Sequence, residues 1–266
     1  DLRTYNLVST LLSIVNSNDD NDSNVILANY ILSNIDRLEA TSIYDLADEC
    51  FVSRSSVQRV IKYIGFDSFS NLKAKLSEAM NHNHRYQRYC NTTDFVQQYH
   101  RQTEEMTKSI EKLANTEHME YVIDLLHNRK RVVFNFAEAS TVAPIAFQEA
   151  MIGNGKIIRC ITNSSRSTEL LEQLDEFDML VTLSTTGNYA LATLNDINRC
   201  KAFKVLFTLN HLDKFKNVYD RIIYLSEKEE SFDYIREGKR DAYTIQGFNY
   251  LFDLLLFKYL QKYPNE

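Results

Sequence analysis

From residue 131 onward the sequence alternates between two periodicities, and this alternation limits the possible folds more than any other feature. Short runs rich in β-branched and aromatic residues fall at 131–136, 156–161, 179–183 and 203–208, and 221–225 reads as a fifth. Stretches with helical spacing, 140–153, 167–175 and 189–201, separate the first four. Strand, helix, strand, helix implies a parallel sheet with helices on both faces, because each crossover must carry the chain back to the same edge. An amphipathic helix over about 241–262 closes the chain.

The residues before 131 have a different texture. Leu7, Leu11, Leu12 and Val15 recur at helical spacing, the polar run 16–23 breaks the pattern with Ser23 as a helix N-cap, and a second helix carries Val25, Ile26, Tyr30 and Ile31. Helices are expected near 94–114 and 117–128. The stretch 81–93 is rich in Asn, His, Arg and Tyr with no apolar period, so it reads as a linker. The expected division is an all-α domain at 1–80, the linker 81–93, and an α/β domain at 94–266.

Composition excludes several classes. The net charge of −6 is incompatible with a wholly basic nucleic-acid coat, though not with a local basic face. Two prolines and six glycines exclude Pro/Gly-rich disorder. No apolar run approaches the roughly 18–20 residues of a membrane span. The opening 1–4 lacks the build of a secretion signal, so a cytoplasmic location is expected. Cys50, Cys90, Cys160 and Cys200 are far apart and read as reduced thiols rather than as a zinc or disulfide framework. His82 and His84 sit in the polar linker without an acidic partner and read as solvated, so no metal is expected.

The densest pattern lies between 41 and 79. Ser42 and Asp45 form a capping-box spacing, and Ile43, Leu46, Ala47 and Cys50 fall on one face. A three-residue turn, 51–53, ends at Ser53, a second N-cap. Val57, Val60, Ile61 and Ile64 make the buried face of the next helix, and Gly65 ends it. Two short helices joined in this way define a helix-turn-helix. The outer side of the second helix and its first turn hold Ser53, Arg54, Ser55, Ser56, Gln58, Arg59 and Lys62. Arg and Gln there suit base edges in the major groove, and Lys62, Lys73 and Lys75 suit phosphates. From 53 to 75 those five basic residues face only Asp67, so positive charge is concentrated where DNA would lie.

These residues carry a resemblance. The stretches 41–47, 52–59 and 65–73, with Ile43, Leu46 and Ala47, then Val52, Ser53, Val57 and Arg59, then Gly65, Phe66, Phe69, Leu72 and Lys73, resemble the N-terminal domain of RpiR-type bacterial transcription regulators. The resemblance implies operator DNA as one partner, read by a homodimer or homotetramer. It also implies a C-terminal SIS (sugar isomerase) domain, a five-stranded parallel sheet that binds phosphosugars, which fits the alternation after 131 without adjustment.

Two loops carry the implied effector site. The turn after the first strand, G-x-G-x-S in such domains, is here 136–140: both glycines are missing, Glu138 brings an acid, and Ser140 remains. The turn after the third strand, S-x-S-G-x-T, is here Ser184, Thr185, Thr186, Gly187, Asn188 and Tyr189, with Tyr in the final place. It stands at the carboxyl end of a parallel strand, where ligands bind in open α/β sheets. Lys239 and Arg240 can offset Glu138, and Arg240 matches a recurrent basic position of the family. The expected function is regulation of carbohydrate metabolism by a sensed sugar phosphate, with no cofactor and no catalysis. Two alternatives stay open: a phosphosugar isomerase, and a regulator whose SIS domain only oligomerises. Glu138, Glu149, Glu227 and His211 are available as bases, but no spacing singles one out.

Overall fold

The computed structural model describes residues 7–17, 19–76, 94–137, 142–162, 168–227 and 242–264. The chain divides into two units, 1–88 and 89–266. The expected linker 81–93, Cys90, His82 and His84 lie outside the described residues, as do Glu138, Ser140, Lys239 and Arg240.

The first unit is helical: α1 (Leu7–Ser17), α2 (Ser23–Ser33), a 3-10 turn (Ile35–Arg37), α3 (Ile43–Glu49), α4 (Arg54–Ile64) and α5 (69–76). Asp22, not Ser23, caps α2: its carboxylate accepts from the Asn24 N–H at 2.7 Å, and Ser23 is already helical. A carboxylate at the N-cap also suits the positive end of the helix. α2 buries Val25, Leu27, Ala28 and Ile31 while Ile26 is exposed, because it packs against both α1 and α4 and so hides two sides. Leu12 is likewise exposed, whereas Leu7, Leu11 and Ile14 enter the core. The expected inward faces of α3 and α4 are buried apart from Ile43, which is half-buried against the cluster, and Phe66, Phe69, Leu72 and Leu76 complete it.

The second unit runs α6 (Phe95–Ala114), α7 (Glu117–Asn128), β1 (Val132–Phe136), α8 (Val142–Ile152), β2 (Ile158–Ile161), α9 (Thr168–Glu172), β3 (Met179–Leu183), α10 (Asn188–Arg199), β4 (Phe203–Thr208), α11 (Asp213–Lys216), β5 (Arg221–Tyr224) and α12 (Phe248–Lys262). A π-helical turn, Tyr243–Gly247, leads into α12. The five strands are all parallel, in the order β2-β1-β3-β4-β5. Phe134 pairs with Cys160 on one side and Val181 on the other.

Side chains alternate between two cores, as the pleat requires. Val132, Phe134, Phe136, Met179, Val181 and Leu183 face α6, α7, α8 and α12. Val133, Leu180 and Leu206 face α9, α10 and α11. At the amino ends of the strands, Arg131 and Asp178 clamp β1 to β3. Arg131 Nε and Nη2 donate to the two carboxylate oxygens at 3.0 and 2.5 Å, and the Arg131 and Asp175 backbone N–H groups add two more bonds. This clamp stands at the end of the sheet away from the loop that follows β3.

Candidate functional site

The helix-turn-helix is built by its caps. In α3 the Ser42 hydroxyl accepts from Asp45 N–H at 3.1 Å, and the Asp45 carboxylate accepts from Ser42 N–H at 3.0 Å. A hydrogen bond from the Ser42 hydroxyl to the carboxylate, first, and the one from Ser42 N–H, second, hold the Asp45 carboxyl below its ordinary range. Ser53 caps α4 by accepting from Ser56 N–H at 3.1 Å, with the Ser55 and Ser56 hydroxyls at 2.8 and 2.9 Å. Gly65 takes φ +103°, the left-handed stop expected of it.

Opposite the buried Val57, Val60, Ile61 and Ile64, the stripe Ser55, Arg59 and Lys62 is exposed. Gln58 and Arg54 stand on one flank of it. The Arg54 guanidinium carbon lies 4.6 Å from the centre of the Tyr44 ring, so a residue of α3 holds the first side chain of α4. Nothing in the sequence pattern marked Tyr44 for this. Lys73 is placed differently: its ammonium donates to the Glu39 and Thr41 carbonyls at 2.9 and 3.0 Å, tying α5 to the chain before α3.

The turn between α3 and α4 contains the one non-glycine residue with positive φ among the described residues, Phe51 at +55°, and its side chain is 96 % exposed. The left-handed region costs an L-residue roughly 1–2 kcal/mol, and this ring recovers nothing by burial. Phe51→Gly is therefore expected to hold or raise the stability of the helical unit, by about 0.5 kcal/mol after the extra freedom of the unfolded glycine is counted. A clear drop in the thermal midpoint would show that the ring is packed in solution.

The loop after β3 is held largely by bonds from the chain itself. Ser184 and Thr185 are buried, Thr186 is half-buried and Asn188 is exposed. The Ser184 hydroxyl accepts from Ala190 N–H at 3.2 Å, and the Thr186 hydroxyl accepts from Asn188 N–H at 3.3 Å. Gly187 takes φ +78°. Asn210, in the loop after β4, donates from Nδ2 to the Thr186 carbonyl at 3.0 Å and accepts from Leu212 N–H at 2.9 Å. Thr208 Oγ1 and Leu209 N–H both donate to the Thr185 carbonyl. The two loops are thus one piece. Tyr189 turns inward, is 1 % exposed, and donates its hydroxyl to Asn135 Oδ1 of β1 at 2.9 Å. Its hydroxyl therefore lies under the loop rather than on it. Beside this piece, His211 stacks flat on Tyr224 with ring centres 3.8 Å apart.

Of the remaining candidate bases, Glu227 pairs with Lys112 at 2.6 Å, and Glu149 is exposed on α8. Cys50, Cys160 and Cys200 are free. Burial pushes the first two thiols up to about 11 and raises the third, so none of the three is a ready nucleophile. Among the described residues no three His, Cys, Asp or Glu side chains are grouped to hold a metal, and no helix is long and apolar enough to cross a membrane.

A helix-turn-helix unit followed by a five-stranded parallel α/β unit is the architecture reached so far, and comparison with known proteins places both halves. Residues 9–83 match the helix-turn-helix domain of the rpiR family. The sugar isomerase domain of an RpiR transcription factor from Sphaerobacter thermophilus is similar over 65 % of this chain and 93 % of its own, with 13 % identity and a TM-score of 0.50. The second unit has that sugar-isomerase fold. The NanR protein of Vibrio vulnificus, complexed with ManNAc-6P, aligns over 97 % of this chain and 93 % of its own, with 17 % identity and a TM-score of 0.49. No curated protein is similar enough to count as a match.

Proposed function

We propose that this protein is a transcription regulator that binds duplex operator DNA through α4 and responds to a phosphorylated sugar at the loop after β3. In this reading it works as a homodimer or homotetramer and catalyses nothing. The observation that carries the DNA half is the exposed stripe Ser55, Arg59 and Lys62 on the second helix of an rpiR-family domain. That stripe places a guanidinium, the commonest reader of guanine, where a recognition helix meets base edges. Ser53, Arg54, Ser55 and Ser56 form the end that enters the groove. The sugar-isomerase fold supports the effector half, with Thr186 and Asn188 on the accessible side and Ser184, Thr185 and Gly187 shaping the loop from below. Ser140 and Arg240 are proposed to complete that site.

A second reading is favoured by one observation. The Ser184 and Thr186 hydroxyls already accept from amides at the start of α10, the groups an anion would otherwise meet. A sheet unit kept for oligomerisation alone accounts for this equally well.

Capture of sheared genomic DNA from the source organism on the purified protein separates the readings. The protein is expected to enrich a near-palindromic sequence, and Arg59→Ala to lose about 1–3 kcal/mol of that affinity, roughly five- to 150-fold. Equal enrichment by the variant would remove Arg59 from the reading face. Release of the captured site by one sugar phosphate from a panel supports the effector half, and indifference to all of them supports the second reading.

A further inference from the structure

A cleft of about 500 Å³ opens on the helical unit beside the recognition stripe, between the start of α3, the middle of α4 and the start of α5. We propose that this cleft seats one sugar–phosphate unit of the DNA backbone, with Ser42, Gln58, Lys62, Ser68 and Ser70 around the phosphate. The proposal rests on the DNA-binding reading above and adds a site to it.

The lining has two characters. Ile43, Ile61 and Phe69 make an apolar floor, and three serine hydroxyls, a carboxamide and an ammonium stand at the rim. That mixture fits deoxyribose, which offers a carbon face, joined to a phosphate, which takes hydrogen bonds and positive charge. An unstacked base would need an exposed aromatic ring to lie on, and Phe69 is only 8 % exposed. Asp67 is the single acid on the wall. At the other end the Lys73 ammonium, fixed by the Glu39 and Thr41 carbonyls and 5.2 Å from the Phe69 ring centre, supplies a charge that cannot swing away.

Position supports the same partner. Ser55, Arg59 and Lys62 point outward, and Gln58 lies one flank round α4, on the side where α3 and α5 begin. When a recognition helix lies in the major groove, the backbone of one strand runs along such a flank. Gln58 then belongs to the backbone contact rather than to base reading, and Lys62 stands at the junction of the two.

Ser70 gives a clean test, because it is exposed and lies in the first turn of α5, where an acid favours the helix. Ser70→Asp should fold as well as the wild type by circular dichroism and thermal melting. Binding of the full-length chain to a random-sequence duplex, titrated over a range of salt, is the readout. Ser70→Asp and Lys62→Gln are each expected to weaken binding about tenfold at low salt and to lower the slope of log K against log salt by about one phosphate contact, roughly 0.9. A folded Ser70→Asp with wild-type affinity and slope overturns the seat and leaves the DNA-binding reading standing. A wild type that binds no duplex even at low salt overturns both.

Discussion

Arg131→Ala is expected to remove about 3 kcal/mol from the unfolding free energy of the sheet unit, because it leaves a buried carboxylate without its cation. The Asp178 side chain is 0 % exposed, while the guanidinium that neutralises it is 39 % exposed and reaches in from the rim. Burial by itself would raise the Asp178 carboxyl. The Arg131 guanidinium, helped by the Asp175 and Arg131 backbone N–H groups, overcomes that and holds it below the ordinary carboxylate range. The sign of the pH effect follows. A carboxyl lowered in the folded state contributes stability that is fully present above the unfolded value, about 3.9, and is lost as pH falls through the folded value. The variant has lost the largest lowering influence, so it has less of this stability to lose. Urea unfolding should therefore show the widest gap between wild type and variant near neutral pH, and a narrowing gap as pH falls below about 4. A gap independent of pH would mean that the guanidinium stabilises through its packing rather than its charge.

The second large effect is expected at Gly187. A Cβ there would lie 2.6, 2.7 and 2.8 Å from Nδ2, Cβ and Cγ of Asn210, at a φ of +78°. The left-handed backbone costs alanine roughly 1–2 kcal/mol, and overpacking adds roughly 1–3 kcal/mol. Asn210 cannot move aside without giving up its bonds to the Thr186 carbonyl and Leu212 N–H. Gly187→Ala should thus destabilise the sheet unit by about 2–4 kcal/mol and abolish any response to a sugar phosphate. The double variant with Asn210→Ala should recover only part of the loss, because the Asn210 Cβ remains in contact and the backbone strain is untouched. Full recovery in a thermal melt would assign the whole cost to the amide.

What could be read in the sequence was what is decided locally or by periodicity. The interior strands β1 and β3 were legible because a parallel strand covered on both faces shows as a continuous apolar run, whereas β2 and β5, at the edges and only partly covered, showed through their β-branched and aromatic residues. The helix-turn-helix was legible because Ser42, Asp45, Ser53 and Gly65 act on amides within a few residues of themselves. Where periodicity competes with a distant anchor it misleads. The pattern over 167–175 exceeds α9, which ends at Glu172, because the Asp175 N–H is drawn to the Asp178 carboxylate beneath β3.

The loop after β3 was legible as a string of hydroxyls but not in its orientation. Asn210 meets the loop from 24 residues away, and Tyr189 meets Asn135 across 54. No local rule pairs such positions. The same distance hid the attachment of Lys73 to Glu39 and Thr41, which turns a residue expected to sit on a phosphate into a tether that also carries charge.

The strand order has a consequence for how the chain is made. β1 is an interior strand flanked by β2 and β3, yet it is the first of the five to be synthesised. Among the described residues the core of the helical unit ends at Leu76, so this unit can form while the rest is still emerging. β1 must wait longer: one side is satisfied when β2 appears, and the other stays bare until β3 has been added and its crossover closed. A chain interrupted in that interval would carry a finished helix-turn-helix head on a tail whose Val-Val-Phe-Asn-Phe edge is open to other chains. Under the operator-binding proposal, such a product would still occupy DNA and gather neighbours there.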